Sequence, residues 1–156
     1  GHSVSEIIAL AAAGGLPNLE DVFRILTIRG LAMEEAHKEN PGIMTAFIGS
    51  AHDEFEWVLK FANQRMEHIN QRMQRIKDSK AYEGMINFAK QRVATGDREA
   101  IEWMERAFEL LYRLKRIGGQ VTAHLVKDDS AAHSPFMESG VQRVYEEIMR
   151  AERIFY

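Results

Sequence analysis

The residues that could hold a metal ion are the first candidates for chemistry in this sequence. Glu34 and His37 have the Glu-x-x-His spacing that puts a carboxylate and an imidazole on one helix face. A di-iron bundle needs two such motifs and two further glutamates, and no other histidine repeats the spacing. The six histidines are scattered, with no His-x-x-x-His pair for zinc. The sequence therefore predicts no metal site and no cofactor, and Glu34 and His37 indicate an exposed helix face.

Nucleophilic residues are the second kind of chemistry to consider. The chain contains no cysteine, which excludes a thiolate nucleophile, thiolate zinc ligands and disulfides. No Gly-x-Ser-x-Gly elbow, Walker loop or Gly-x-Gly-x-x-Gly motif is identified. Gly1-His2, without an initiator Met, is interpreted as the scar of a cleaved tag and is left out of the motif search. We therefore predict no catalytic residues and a protein that is not an enzyme.

Basic residues form the remaining candidate site. The formal net charge of -3 gives no overall attraction for nucleic acid or an anionic membrane, but residues 63–92 carry a local excess of basic side chains. The patch predicted to bind acidic partners consists of Arg65, Arg72, Arg75, Lys77, Arg113, Lys115 and Arg116. A solvated helix face, or the attraction of cations to helix C-termini, explains the same residues.

Helix signals are frequent along the 156 residues, and no apolar run is long enough to span a membrane. The best-defined helix begins near Ser50–Asp53 and carries apolar residues at alternating spacings of four and three, from Phe55 to Ile76. This stripe is typical of a long bundle helix, with a coiled-coil seam as the alternative. Asp97 is predicted to cap another long helix, and Ser134-Pro135 to begin the last one.

Ile43–Ile48 and Val121–Val126 are predicted as short helices, and a further helix, which carries Tyr82, Met85, Ile86, Phe88 and Ala89, is predicted to end at Gly96. The resulting fold class is all-α, a compact bundle of about nine helices with no strand. The bundle forms one unit or two packed helical subdomains, at residues 3–77 and 79–156.

A short basic stretch and the residues after it resemble a known family. Leu111-Tyr112-Arg113-Leu114-Lys115-Arg116, followed by Thr122-Ala123-His124, Lys127 and Ser130, is similar to the matrix proteins of influenza-type viruses, the orthomyxoviruses. The similarity extends over about residues 85–150, and its distance from influenza indicates another genus, such as a thogotovirus. The resemblance implies a compact all-α N-terminal matrix domain.

The resemblance also implies a function and a location. Such proteins self-assemble into a layer beneath the viral envelope and bridge the membrane and the ribonucleoprotein. The implied partners are copies of the same chain, an anionic membrane surface bound peripherally, and viral ribonucleoprotein or RNA, with no small-molecule substrate. The implied locations are the inner face of the virion envelope and the host cytoplasm and nucleus. The alternatives are a helical adaptor that binds nucleic acid or a partner protein through a local basic patch, and a helical-bundle metalloenzyme.

Overall fold

The computed structural model of the chain describes residues 3–16, 18–74, 79–127 and 130–152. Contacts between Cα atoms divide the chain into two units. The helical unit comprises Gly1–Lys38 and Glu138–Tyr156, and the sheet unit comprises Glu39–Met137. This division crosses the subdomain boundary predicted at residues 77–79. Over the described ranges, no helix is both long and apolar enough to cross a membrane.

The sheet unit contains four strands and two long helices in the order βαββαβ. The elements are β1 (Ile43–Ile48), α3 (His52–Met73), β2 (Ala81–Phe88), β3 (Gln91–Gly96), α4 (Arg98–Arg113) and β4 (Thr122–Lys127). The strands form one antiparallel sheet in the order β2-β3-β1-β4. This element order and strand order define a ferredoxin-like arrangement.

The predicted all-α fold with about nine helices is therefore wrong. The helices predicted at Ile43–Ile48 and Val121–Val126 form β1 and most of β4, and the helix predicted to end at Gly96 forms β2 and β3. Residues 43–47 are all buried, with Thr45 among apolar side chains, so β1 lacks an alternation of buried and exposed residues. Periodicity cannot separate such a run from a buried helix. Its length of six residues and its position between Gly42 and Gly49 are the features that favour a strand.

The core of the sheet unit lies between the sheet and the helices α3 and α4. Phe47 of β1 is fully buried at its centre, with its ring centroid 5.9 Å from that of Phe55 on α3 and 5.3 Å from that of Phe108 on α4. Met66 and Met104 are also fully buried there. Burial of each of these large side chains contributes about 1.5–3 kcal/mol, so this cluster holds both helices on one face of the sheet.

The predicted cap of α4 is confirmed, since the Asp97 carboxylate accepts a hydrogen bond from the Glu99 amide at 3.0 Å. The cap predicted for α3 at Ser50–Asp53 is wrong in its residues: Ala51 is the N-cap, and the Glu54 carboxylate accepts a hydrogen bond from its amide at 2.9 Å. The predicted apolar stripe of α3 packs against the sheet and α4, so it is neither a bundle helix nor a coiled-coil seam. Its last predicted member, Ile76, lies outside the described residues.

The helical unit contains α1 (Ser5–Ala12), α2 (Leu19–Glu39) and α5 (Glu138–Glu152). Helix α2 continues through Gly30 without a break. Helices α2 and α5 approach closely at Gly140, where an added Cβ would lie 3.0 Å from the Ala32 carbonyl oxygen. A 3.0 Å ion pair between Arg143 and Glu35 joins the same two helices. Small residues therefore set the distance between them.

We predict that Gly96→Ala destabilises the sheet unit by at least about 2 kcal/mol, because an alanine would be strained and crowded there. Gly96 has a φ of 145°, and an added Cβ would lie 2.2 Å from the Lys80 carbonyl oxygen. Gly118→Ala is the matched control, since an added Cβ meets nothing within 4 Å. Urea unfolding of both variants measures the difference, and equal midpoints would contradict the prediction.

We also predict that Glu105→Gln on α4 stabilises the protein at neutral pH. Partial burial, followed by repulsion from Glu102, raises the pKa of Glu105 above its ordinary value. The folded state thus holds the Glu105 proton more tightly than the unfolded state, so the ionised carboxylate opposes folding above the folded pKa. The melting temperature of the variant should exceed that of wild type at pH 7, and the gap should close as acid protonates Glu105 in both states. A gap that widens in acid would refute this assignment.

Candidate active site

Among the described residues of the helical unit, Ser3 is the non-glycine residue with a positive backbone φ. Its φ of 56° lies in the left-handed region, which serine seldom adopts. Ser3 immediately precedes α1, and its carbonyl oxygen accepts a 3.0 Å hydrogen bond from the Glu6 amide. A serine held in a strained turn directly before a helix is the defining feature of a nucleophile elbow. A strained conformation of this kind costs about 1–3 kcal/mol and is concentrated at functional sites.

The start of α1 provides the partial positive charge that stabilises a negative oxygen formed beside a serine nucleophile. Val4 is the N-cap residue, and no side chain caps the helix there. The amide of Val4 belongs to the first helical turn, whose N–H groups have no acceptor within the helix. In a nucleophile elbow, the amide that follows the serine stabilises the negative oxygen of the tetrahedral intermediate. The positive end of the helix dipole acts in the same direction.

Arg29 of α2 contacts the Ser3 side chain. Its Nη2 atom donates a hydrogen bond of 3.2 Å to Ser3 Oγ, and both side chains are half-buried. The two residues are 26 positions apart in sequence, so the contact depends on how α2 packs beside the turn before α1. A guanidinium group at this distance can also bind a carboxylate through two parallel hydrogen bonds. Ser3 and Arg29 together form the candidate active site of the helical unit.

His133 lies in a turn of the sheet unit and has an uncommon backbone conformation. It has a left-handed φ of 59° and an exposed side chain. The residues before it pack against the sheet face opposite α3 and α4, where the Thr95 hydroxyl donates a 2.7 Å hydrogen bond to the Ala132 carbonyl oxygen. Ser134, directly after it, accepts a hydrogen bond from the Phe136 amide at 3.3 Å. His133 is thus held between two anchored neighbours.

The predicted basic residues fall into two groups on the sheet unit. The guanidinium of Arg65 on α3 stacks over the ring of Trp103 on α4, 5.1 Å from its centroid. Arg72 is exposed in the last turn of the same helix. Helices α3 and α4 follow antiparallel strands and so run in opposite directions. Arg72 therefore lies toward one end of the pair, and the group at the end of α4 lies toward the other.

The second group follows the end of α4. Arg113 forms an ion pair with Glu109, and Lys115 has a left-handed φ of 53°. The Arg116 amide donates a 2.9 Å hydrogen bond to the Leu111 carbonyl oxygen. Arg75 and Lys77 lie outside the described residues. The binding of acidic partners by these residues remains a prediction.

The Glu34 and His37 pair lies on α2 outside the candidate site. Glu34 forms a 2.7 Å ion pair with Lys38, and that hydrogen bond lowers the pKa of Glu34 and raises that of Lys38. In the described part of the chain, no group of three or more histidine or acidic side chains is arranged to hold a metal ion.

Sequence reasoning missed Ser3 and Arg29 as candidate functional residues. The interpretation of Gly1-His2 as a tag scar left these two residues out of the motif search. Gly1-His2-Ser3-Val4-Ser5 matches Gly-x-Ser-x-Gly except that Ser5 replaces the second glycine. No local pattern in the sequence indicates Arg29.

The solved structures that resemble this chain are acyltransferases. The malonyl CoA-acyl carrier protein transacylase from Coxiella burnetii has a TM-score of 0.72 and 26% identity, covering 96% of this chain and 40% of that one. The transacylase of the same name from Clostridium perfringens has a TM-score of 0.70 and 19% identity, covering 93% and 39%. The acyltransferase domain of an iterative polyketide synthase in enediyne biosynthesis has a TM-score of 0.70 and 21% identity, covering 96% and 33%.

These matches define the class of fold as that of the malonyl CoA-acyl carrier protein transacylases. The chain spans about two fifths of the length of the transacylase structures it matches. No family model matches the sequence, and no curated protein matches it either.

The matches contradict the predicted viral matrix domain and what followed from it. The matched structures are enzymes that act on acyl groups, so the predictions of a non-enzyme and of no small-molecule substrate are wrong. The predicted matrix layer, its membrane and ribonucleoprotein partners and its location in the virion are wrong for the same reason. The alternative of a helical adaptor has no support. The motif behind the resemblance spans the end of α4 and the strand β4, which an all-helical module does not contain.

We predict that Thr95→Val loosens the segment that carries His133. The substitution keeps the shape of the side chain but leaves the buried Ala132 carbonyl without its donor, at a cost of about 1–3 kcal/mol. Hydrogen exchange of residues 131–137 should accelerate. Thr122→Val is the control, because Thr122 is exposed on β4. Unchanged exchange in the Thr95 variant would show that this hydrogen bond does not hold the segment.

Proposed function

We propose that the chain carries the acyl-accepting site of an acyltransferase that uses a malonyl-type thioester. The observation that carries the proposal is Ser3, held in a left-handed turn directly before α1 and hydrogen-bonded to Arg29. The matched transacylases, which by name act on malonyl CoA and acyl carrier protein, support the choice of substrate class.

In the proposed first half-reaction, Ser3 Oγ attacks the thioester carbonyl carbon of malonyl CoA. A carbon–oxygen bond forms, and the serine proton passes to a general base. The Val4 amide stabilises the negative carbonyl oxygen while it carries the charge. The carbon–sulfur bond then breaks, and the CoA sulfur takes the proton from the base. The product is a malonyl ester of Ser3.

In the proposed second half-reaction, a thiol of the carrier protein attacks the ester carbon. The general base takes the proton of this thiol and returns it to Ser3 Oγ when the ester bond breaks. The acyl group leaves on the carrier, and the enzyme regains its initial state.

We propose that Arg29 binds the free carboxylate of the malonyl group. A bidentate arginine–carboxylate pair is charge-assisted and about twice as strong as a neutral hydrogen bond. Because the guanidinium contacts Ser3 Oγ, a carboxylate bound to it lies beside the nucleophile. The length of a malonyl group, with one methylene between its two carbonyl carbons, suits this arrangement.

Intact-mass analysis after incubation with malonyl CoA tests the nucleophile. The wild-type chain should gain one malonyl group, peptide mapping should locate it on Ser3, and a carrier thiol should remove it. Ser3→Ala should remain unmodified because it lacks the attacking oxygen. Ser5→Ala, the neighbouring serine in α1, should still be acylated. Acylation of the Ser3 variant, or acylation elsewhere, would refute the assignment.

A further inference from the structure

The contact between Arg29 and Ser3 also bears on how the site is activated. In the structure, Arg29 Nη2 donates to the very oxygen that must attack the thioester. Arg29 is held near the middle of α2, and Ser3 is held by its turn and by the Glu6 amide. Neither backbone can shift without disturbing a helix. The bond is therefore a defined feature of the site.

A hydrogen bond from Arg29 to Ser3 Oγ opposes the attack of this oxygen on the thioester carbon. A serine hydroxyl has two lone pairs, and a guanidinium that donates to one of them orients the oxygen toward itself. Attack requires a lone pair aimed at a carbonyl carbon about 3–3.5 Å away. The positive charge also draws electron density from the oxygen, which lowers its nucleophilicity. As long as Arg29 holds Ser3 Oγ, the hydroxyl is directed at the arginine instead of the acyl group.

A carboxylate of the substrate would draw the Arg29 guanidinium away from Ser3 Oγ. The guanidinium donates to a neutral hydroxyl in the structure, whereas an ionised carboxylate accepts two charge-assisted hydrogen bonds from the same fork. The carboxylate therefore competes successfully for Arg29. When the guanidinium turns to it, Ser3 Oγ is free to orient toward the thioester and toward its base.

We infer that Arg29 is a latch on the nucleophile that the carboxylate of the acyl donor opens. The inference rests on the proposed function and extends it from binding to activation. A donor with a free carboxylate both occupies Arg29 and releases Ser3. A donor without one, such as an acetyl thioester, meets the closed latch. A free carboxylate on the donor then raises the rate of the acylation step as well as the affinity of the donor for the site.

The reactivity of Ser3 toward a neutral fluorophosphonate probe tests the latch without a thioester substrate. The Ser3 oxygen displaces fluoride from phosphorus, and intact mass follows the modification over time. Formate, the smallest carboxylate, serves as the opening ligand, with chloride at equal ionic strength as the salt control. Formate should accelerate labelling of the wild-type chain by roughly 3- to 10-fold, as expected for release of one hydrogen bond. Chloride should not accelerate it.

Variants of Arg29 separate the latch from a simple binding role. Arg29→Met keeps the apolar stem of the side chain and removes the donor, and Arg29→Ala removes both. Each should label without formate at the rate that the wild type reaches with it, and formate should have no further effect. Arg24→Ala, which removes an exposed arginine of the same helix, should behave as the wild type. Circular dichroism verifies that each variant keeps its helices.

The outcomes distinguish the two proposals. If the wild type is labelled on Ser3 but formate leaves the rate unchanged or lowers it, the latch is wrong and the nucleophile stands. The latch is also wrong if loss of the Arg29 side chain slows labelling in both folded variants. If the probe modifies Ser3 in no variant at any concentration, the serine is not a nucleophile, and both proposals fail.

Discussion

The burial of β1 on both of its faces is the constraint on which the sheet unit depends. On one face, Phe47 contacts the rings of Phe55 and Phe108, which fixes α3 and α4 against the sheet. On the other face, residues of β1 and β3 are equally buried, and Thr95 there holds the Ala132 carbonyl. One strand pair thus supports the hydrophobic core on one side and the segment before His133 on the other. A charged residue in the buried part of β1 would be taken out of water whichever face it pointed to.

The same constraint explains how much of the fold the sequence could predict. Helices α3 and α4 are covered by the sheet on one side only, so their apolar residues recur at helical spacing, and the cap of α4 at Asp97 is correctly predicted. Strand β1 has no exposed face, and its mostly apolar run is as compatible with a buried helix as with a strand. Strand β4 is exposed along its whole length, so its Leu125 and Val126 misleadingly indicate a buried segment. Local pattern therefore identified the elements with one buried face and failed for the others.

The candidate site was hidden for a different reason. A left-handed φ is a property of the folded turn, and serine carries no local mark of it as glycine does. The contact of Ser3 with Arg29 joins residues 26 positions apart in the chain. Such pairings are set by packing and cannot be inferred from spacing. The one local signal was the near match of residues 1–5 to an elbow motif, in which Ser5 takes the place of glycine.

The strain at Ser3 and its bond to Arg29 belong to one physical argument. A left-handed serine costs about 1–3 kcal/mol, which the turn must offset. The Glu6 amide and the Arg29 guanidinium both bond to Ser3 in its strained conformation, one through the carbonyl and one through the side chain. The guanidinium can therefore leave for a carboxylate while the backbone bond still holds the turn. A nucleophile stabilised through two separate atoms can release its side chain without losing its conformation.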